Sequence, residues 1–370
     1  MTEPEPLQQI DRTYVRFRRR KLSYFSGCDY FRLASHPRLI AALQAGARKF
    51  GLNVSASRLT TGNHALYREL ETELATFFAA ESALLVPSGY VSNLVAAQAL
   101  AGTFSHALID DAAHSSGSDA ARLLDCPVLQ FKSRNPDALA AAVRRCGPES
   151  KLLVLTDGMF SDDGSAAPLA QYLQVLPKDA LILVDDAHGA GVLGRTGKGT
   201  IENAGVSRRR FIQTVTLSKS FGAYGGAILG TAQLRQRILE RSHMFVGSTP
   251  LPLPLANAAL EGVRILRADP TLRRRLHENA AYVKAAVSKV GLPLAGTPGP
   301  IVPVHPTRPS EAAVLRRLLF AVGIFPPFVK YPGGPPNGYF RFAISSEHTR
   351  LQLDTLVKAL SRYAKLRRSS

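Results

Sequence analysis

The feature that most constrains this chain is a repeated punctuation. Short apolar runs end abruptly in polar, turn-forming residues, and helix-length stretches lie between them. Such runs stand at 83–86, 106–110, 127–131, 151–156, 181–185, 211–217 and 227–230. They are rich in Val, Ile and Leu and almost continuously apolar, which predicts strands covered on both faces. Leu66, Leu70, Leu74, Phe77 and Phe78 recur mostly at spacings of three and four and form one apolar helical face. Shorter helices are predicted over 137–145 and 169–176. Strand and helix alternating in this way predict an α/β fold built on a largely parallel sheet. Prolines at 250, 252 and 254 then break the rhythm. Beyond them the pattern predicts helices over 252–267 and 272–290, a strand over 301–305, a helix over 310–322, a Gly/Pro loop over 331–338, a strand over 339–345 and a helix over 351–364. The expected organisation is an N-terminal segment 1–36, a large domain 37–270 and a smaller α+β domain 271–370.

Several classes of protein are excluded early. Of 370 residues 45% are hydrophobic and 20% charged, too apolar for a disordered chain. Three cysteines with no C-x-x-C pair cannot build a disulfide framework. No apolar run approaches the roughly 18 residues of a membrane span, and the acidic, proline-bearing start lacks the layout of a signal peptide. The expectation is a cytoplasmic protein. Its net charge of +18 invites a nucleic-acid reading. No zinc-finger, basic-zipper or RNP-like pattern accompanies the basic runs, so no nucleic acid is expected. The open alternatives are a solvated basic surface and a rim for an anionic partner, with Arg16, Arg18, Arg19, Arg20, Lys21, Lys49 and Arg58 as contributors.

The candidate chemistry sits where the predicted strands stop, which in a parallel sheet is where ligands bind. Lys219 follows a strand inside TLSKSFGAYGG, either as a solvated loop lysine or as a Schiff-base lysine kept nucleophilic by partial burial. Asp185 and Asp186 end another strand, with His188 three residues after Asp185. A carboxylate there could keep a pyridinium protonated. The competing readings are a cap on the next turn, or a metal shared with His188, although convincing further ligands are missing and no metal is expected. Ser88, Gly89 and Tyr90 stand at a strand-to-helix turn whose N–H groups could hold a phosphate. His114, Asp157 and Ser161 follow two more strand ends, and His114 alone could be a structural histidine or could stack on a ring.

Together these residues resemble the α-oxoamine synthases, fold-type-I enzymes that depend on pyridoxal 5′-phosphate (PLP). The likeness is carried by SGYVSN at 88–93, DGMFSDDG at 157–164, VDDAHGAGVLGRTGKG at 184–199, TLSKSFGAYGG at 216–226 and GYFRFAISSEHT at 338–349. It implies a large domain with a mostly parallel seven-stranded sheet plus a smaller α+β domain. It implies catalytic roles for Lys219, Asp185, His188 and His114: Lys219 carrying PLP, Asp185 on the pyridine nitrogen, His188 and Ser161 near the phenolic oxygen, and His114 stacked on the ring. Ser88, Gly89, Tyr90, Asp157 and Thr216 would complete the cofactor site, with Ser248 and Thr249 reaching the phosphate of a homodimer partner. Arg341, with Cys28 beside it, would take the substrate carboxylate. The implied reaction condenses a small amino acid with an acyl thioester of coenzyme A or a carrier protein, usually with loss of carbon dioxide, and the general likeness is to the 8-amino-7-oxononanoate synthase branch. Another PLP aminotransferase or lyase would share Lys219 and Asp185.

Against the family's pattern, Cys28 stands in place of an Asn, Asp157 in place of a frequent Glu, Tyr67 in place of a His, and residues 53–57 lack the usual glycines. These departures border the substrate side rather than the PLP core and imply altered substrate choice, with a weakened or repurposed enzyme as the alternative.

Overall fold

A computed structural model describes residues 5–330 and 335–368. The chain divides into two compact units. The larger holds Pro37–Phe160 and Ala166–Pro270; the smaller holds the described residues of Met1–His36, Ser161–Ser165 and Thr271–Ser370.

In the larger unit the apolar runs form one seven-stranded sheet. Its order is Ser82–Val86, Gly226–Gly230, Phe211–Thr216, Leu181–Asp185, Leu152–Asp157, His106–Asp110 and Val128–Phe131. Only Gly226–Gly230 runs antiparallel to its neighbours, so the other six strands share one direction. The near-continuous apolar character of the strands is explained by cores on both faces. One gathers Ala107, Ile109, Leu153, Leu155 and Leu183 with Val95, Ala96 and Ala120. The other gathers Leu108, Val154, Ile182 and Val184 with Leu139, Leu169 and Tyr172. Residues one apart on a strand fall into opposite cores, as the two-residue strand period requires. The apolar stripe around Leu70 becomes the helix Ala65–Phe78, and the proline-marked segment becomes Leu253–Ala268.

The smaller unit has a three-stranded antiparallel sheet with Tyr339–Ala343 between Ile301–Val304 and Phe328–Val329. Val302, Val304, Phe340 and Phe342 share a core with Val283, Leu315, Leu319, Leu356 and Leu360 of its helices. Phe25 is in the same core, and a second small sheet of Gln8–Gln9, Tyr14–Phe17 and Arg20–Ser23 uses the basic run as its hairpin. The expected loop at 331–338 lies partly outside the described residues. Among the described residues no helix is long and apolar enough to cross a membrane.

Candidate active site

Five strand ends of the larger unit deliver polar groups to one rim, because parallel strands all finish on the same side. Asp185 is the last residue of its strand. Its Oδ2 accepts from Asn93 Nδ2 at 2.6 Å and from Ser116 Oγ at 3.3 Å, and its Oδ1 accepts from Ala187 N at 3.1 Å. Asn93 is itself fixed: its Oδ1 accepts from Thr214 Oγ1 at 2.6 Å and its Nδ2 also reaches Ser116 Oγ at 2.9 Å. The carboxylate is therefore aimed by neutral donors, which leaves its charge uncompensated for a cation. Asp186 has a different job. Fully buried, it accepts from Thr200 N and Oγ1 at 2.8 and 2.7 Å and from Gln213 Nε2 at 2.6 Å, pinning the glycine-rich loop that follows.

Lys219 lies three residues beyond the strand Phe211–Thr216, and its Nζ is 2.9 Å from His188 Nε2. This lysine points at a ring nitrogen and is half-buried. His188 is engaged by the lysine rather than gathered with acids into a metal set. Among the described residues no three His, Cys, Asp or Glu side chains cluster as ligands.

His114 caps the helix Ser115–Ala121, its Nδ1 accepting from Ser116 N at 3.2 Å. Its own backbone N–H donates to Asp157 Oδ1 at 2.9 Å. Asp157 is buried, and its carboxyl is held well above the usual carboxylate range, first by burial and then by the negative charge of Asp185, with the His114 N–H and Lys219 opposing. Two acids so placed resist carrying two full charges unless positive charge arrives.

The third part of the rim is a cradle. Ser88 caps the helix Gly89–Leu100, its hydroxyl accepting from Val91 N at 3.3 Å. A Cβ at Gly89 would lie 2.7 Å from Thr216 Cβ, so only glycine allows the helix start and the strand end to approach this closely. Thr216 Oγ1 and Ser218 Oγ are 2.8 Å apart beside it. Free N–H groups at a helix start, flanked by hydroxyls, suit a phosphate. Tyr90 turns its ring outward, 6.0 Å from His114, and its hydroxyl bonds Asp119.

Sequence reasoning missed Asn93, Ser116 and Ser218 as site residues. Asn93 was visible only as the last letter of a motif, and its signal is full burial of an amide next to a strand-end acid. Ser248 bonds the Met244 carbonyl, and Thr249 is exposed; neither shares a described contact with the Lys219 cluster.

The smaller unit carries a separate polar group. Arg341, in the middle strand, donates from Nε to the Ser161 carbonyl, and its Nη2 is 3.7 Å from Cys28 Sγ. The buried Tyr30 hydroxyl also bonds Arg341. Ser161 and Cys28 thus meet at one guanidinium. One sequence expectation is corrected. Arg58 is no part of a free basic rim, since it is buried, ion-paired with Glu71 and bonded through Nη2 to Asn63 Oδ1 at 2.8 Å. Glu71 also accepts from Arg235 at 2.9 Å and from Leu85 N at 2.9 Å, so the arginine satisfies a buried carboxylate.

Comparison with known proteins agrees with this geometry. The aminotransferase class I and II family profile matches residues 25–360. An 8-amino-7-oxononanoate synthase of Thioalkalivibrio sulfidiphilus is 36% identical over 93% of this chain and 88% of its own length. The enzyme of the same name from Xylella fastidiosa is 39% identical over 91% and 85%. Among solved structures, serine palmitoyltransferase from S. paucimobilis, determined with a bound PLP–myriocin aldimine, superposes with a TM-score of 0.92 at 25% identity, covering 99% of this chain and 94% of that one. The 8-amino-7-oxononanoate synthase of Francisella tularensis shares the fold, with a TM-score of 0.81 at 24% identity over 94% and 99%. A strand-end lysine on a histidine, an acid aimed by neutral donors and matches over almost the whole chain lead to one assignment: the chain belongs to the aminotransferase class I and II family and, within it, to the α-oxoamine synthases.

Proposed function

We propose that the protein is a PLP-dependent acyltransferase that condenses a small amino acid with an acyl thioester, in the manner of 8-amino-7-oxononanoate synthase. The observation that carries this reading is Lys219 Nζ set 2.9 Å from His188 Nε2 on a rim that also holds an Asp185 with neutral donors. That donor set fits PLP. Lys219 would hold the cofactor covalently, Asp185 would pair with the pyridine nitrogen, and the Gly89 and Tyr90 N–H groups with Ser88 and Thr216 would take the phosphate. His188 would face the phenolic oxygen and His114 the ring. When bound, PLP supplies a cationic ring that accepts the electron pair left on removal of the substrate's α-proton.

The chain's own residues do the rest. Lys219 would move the substrate's α-proton at Nζ, with His188 as its hydrogen-bond partner. Burial and the Asp185 charge hold the Asp157 carboxyl well above the usual carboxylate range, so full ionisation of both acids is opposed. Arg341 is suited to bind the amino acid's carboxylate, because a guanidinium fork matches a carboxylate in shape and charge. The protein would work as a cytoplasmic homodimer, Ser248 and Thr249 reaching the partner's phosphate site, with coenzyme A or a carrier protein delivering the acyl group.

The test is a panel of amino acids against acyl-CoA thioesters, read by free-thiol release and product mass with the PLP-loaded protein. Thiol release matched by an α-oxoamine product, one carbon dioxide lighter than the condensed acid, supports the reading. Amino-group transfer to a 2-oxo acid with no thiol released would assign an aminotransferase instead.

A further inference from the structure

The segment Ser161–Ser165 interrupts the larger unit in sequence but is built into the smaller one. Its attachments there form a short chain of contacts. Lys284 Nζ donates to the Thr297 carbonyl at 2.7 Å, to Thr297 Oγ1 at 2.8 Å and to the Gly299 carbonyl at 2.6 Å. Thr297 Oγ1 passes the contact on by donating to the Asp163 carbonyl at 2.9 Å, and Gly299 N donates to the Gly164 carbonyl at 2.8 Å. The same five-residue segment presents the Ser161 carbonyl that accepts from Arg341 Nε. From these contacts we infer that Lys284 is a positioning residue for the carboxylate subsite: its ammonium fixes Thr297 and Gly299, these fix Ser161–Ser165, and the Ser161 carbonyl aims Arg341.

The inference rests on reading Arg341 as the group that binds the substrate carboxylate. Its physical basis is a count of donors. An ammonium has three N–H bonds and no acceptor, and here three oxygens surround it. Burial brings Lys284 down to about 8, with Asp163 opposing, so at neutral pH all three donors are present. No uncharged side chain of similar length replaces them. Removing them leaves two carbonyls and a hydroxyl competing for fewer donors and loosens the segment that carries Ser161. Arg341 then loses orientation rather than charge, so the effect falls on whatever ligand carries a carboxylate and spares the thioester.

The experiment uses PLP-loaded Lys284→Met and, as the gentler variant, Thr297→Val, which removes only the relay hydroxyl. The expected result in both is a rise of about five- to twentyfold in KM for L-alanine and in the inhibition constant of propionate, the scale of one or two weakened hydrogen bonds. KM for the acyl-CoA and kcat stay within about twofold, and hydrogen–deuterium exchange quickens in the peptide spanning 161–165. Arg341→Lys is run alongside. If it leaves propionate inhibition unchanged, the carboxylate reading itself is wrong and takes the inference with it. If Arg341→Lys weakens propionate while both other variants keep parental constants and exchange, or raise all constants together, the positioning role of Lys284 is overturned.

Discussion

Asn93→Ala tests the support of the strand-end acid. Asn93 has no exposed surface and makes three short contacts: 2.6 Å to Asp185 Oδ2, 2.9 Å to Ser116 Oγ and 2.6 Å from Thr214 Oγ1. The first is charge-assisted and contributes about 2 kcal/mol, and the loss of the Thr214 contact adds about 1 kcal/mol. Ser116 retains His114 Nδ1 and Asp185 as partners, so its share is small. The sum, about 3 kcal/mol, corresponds to a fall of about 6–12 °C in the melting of a unit this size. The second consequence is functional. Without the amide, Asp185 keeps only Ser116 at 3.3 Å on that oxygen, and the carboxylate swings. Loss of half the aiming energy, about 1 kcal/mol, weakens PLP binding about fivefold, since about 1.4 kcal/mol is one decade. The assay is apo-protein melting by differential scanning together with PLP titration by absorbance. Parental melting and parental PLP affinity in Asn93→Ala would refute the argument, because a fully buried amide with three contacts would then be contributing nothing.

Cys28→Asn replaces a weak thiol contact to Arg341 with an amide. It should tighten propionate inhibition by about fivefold, on the order of 1 kcal/mol, read from competition against L-alanine. Asp157→Asn keeps an oxygen for the His114 N–H while removing an ionisation that burial opposes. A carboxyl raised in the fold costs stability as pH climbs above its unfolded value, so the parental apo-protein should lose melting temperature relative to Asp157→Asn as pH rises above the usual carboxylate range. His348 behaves in the opposite sense. Burial, with Arg32 adding, lowers it to about 3, and the neutral ring accepts from Ser345 N at 3.0 Å and faces the Tyr24 carbonyl at 3.1 Å through Nε2. Its contribution is complete above the unfolded value near 6.5 and is lost as pH falls toward 3, about 2 kcal/mol by pH 5. His348→Asn should melt lower at pH 7.5 but lose less on going to pH 5.

The central sheet was legible because each of its strands is an apolar run with polar punctuation, and because the polar ends all fall on one rim once the strands are parallel. Lys219, Asp185 and His188 could be named for that reason. What stayed hidden depends on partners distant in sequence. Arg58 reads as surface charge until Glu71 is seen to bury it. Asn93 reads as a polar residue on an apolar helix until Asp185 arrives from 92 positions away. The helix Pro37–Phe50 is absent from the sequence expectations although it is amphipathic. It buries only Leu39 and Gly46, and it packs closely on Leu253–Ala268 through the glycine, where a Cβ would sit 2.9 Å from Asn257 Cβ. The capture of Ser161–Ser165 by the smaller unit follows from Lys284, Thr297 and Gly299, which are more than a hundred residues downstream and carry no local pattern that points back to it.

The central claim is that Lys219 carries the cofactor on a rim aimed by Asp185. The most direct measurement is borohydride reduction of the PLP-loaded protein followed by peptide mass analysis. The account predicts a single reduced pyridoxyl adduct on Lys219, absent from Lys219→Ala. An adduct on another lysine in the parental protein, or covalent trapping that persists at a new position in Lys219→Ala with parental yield, would contradict it.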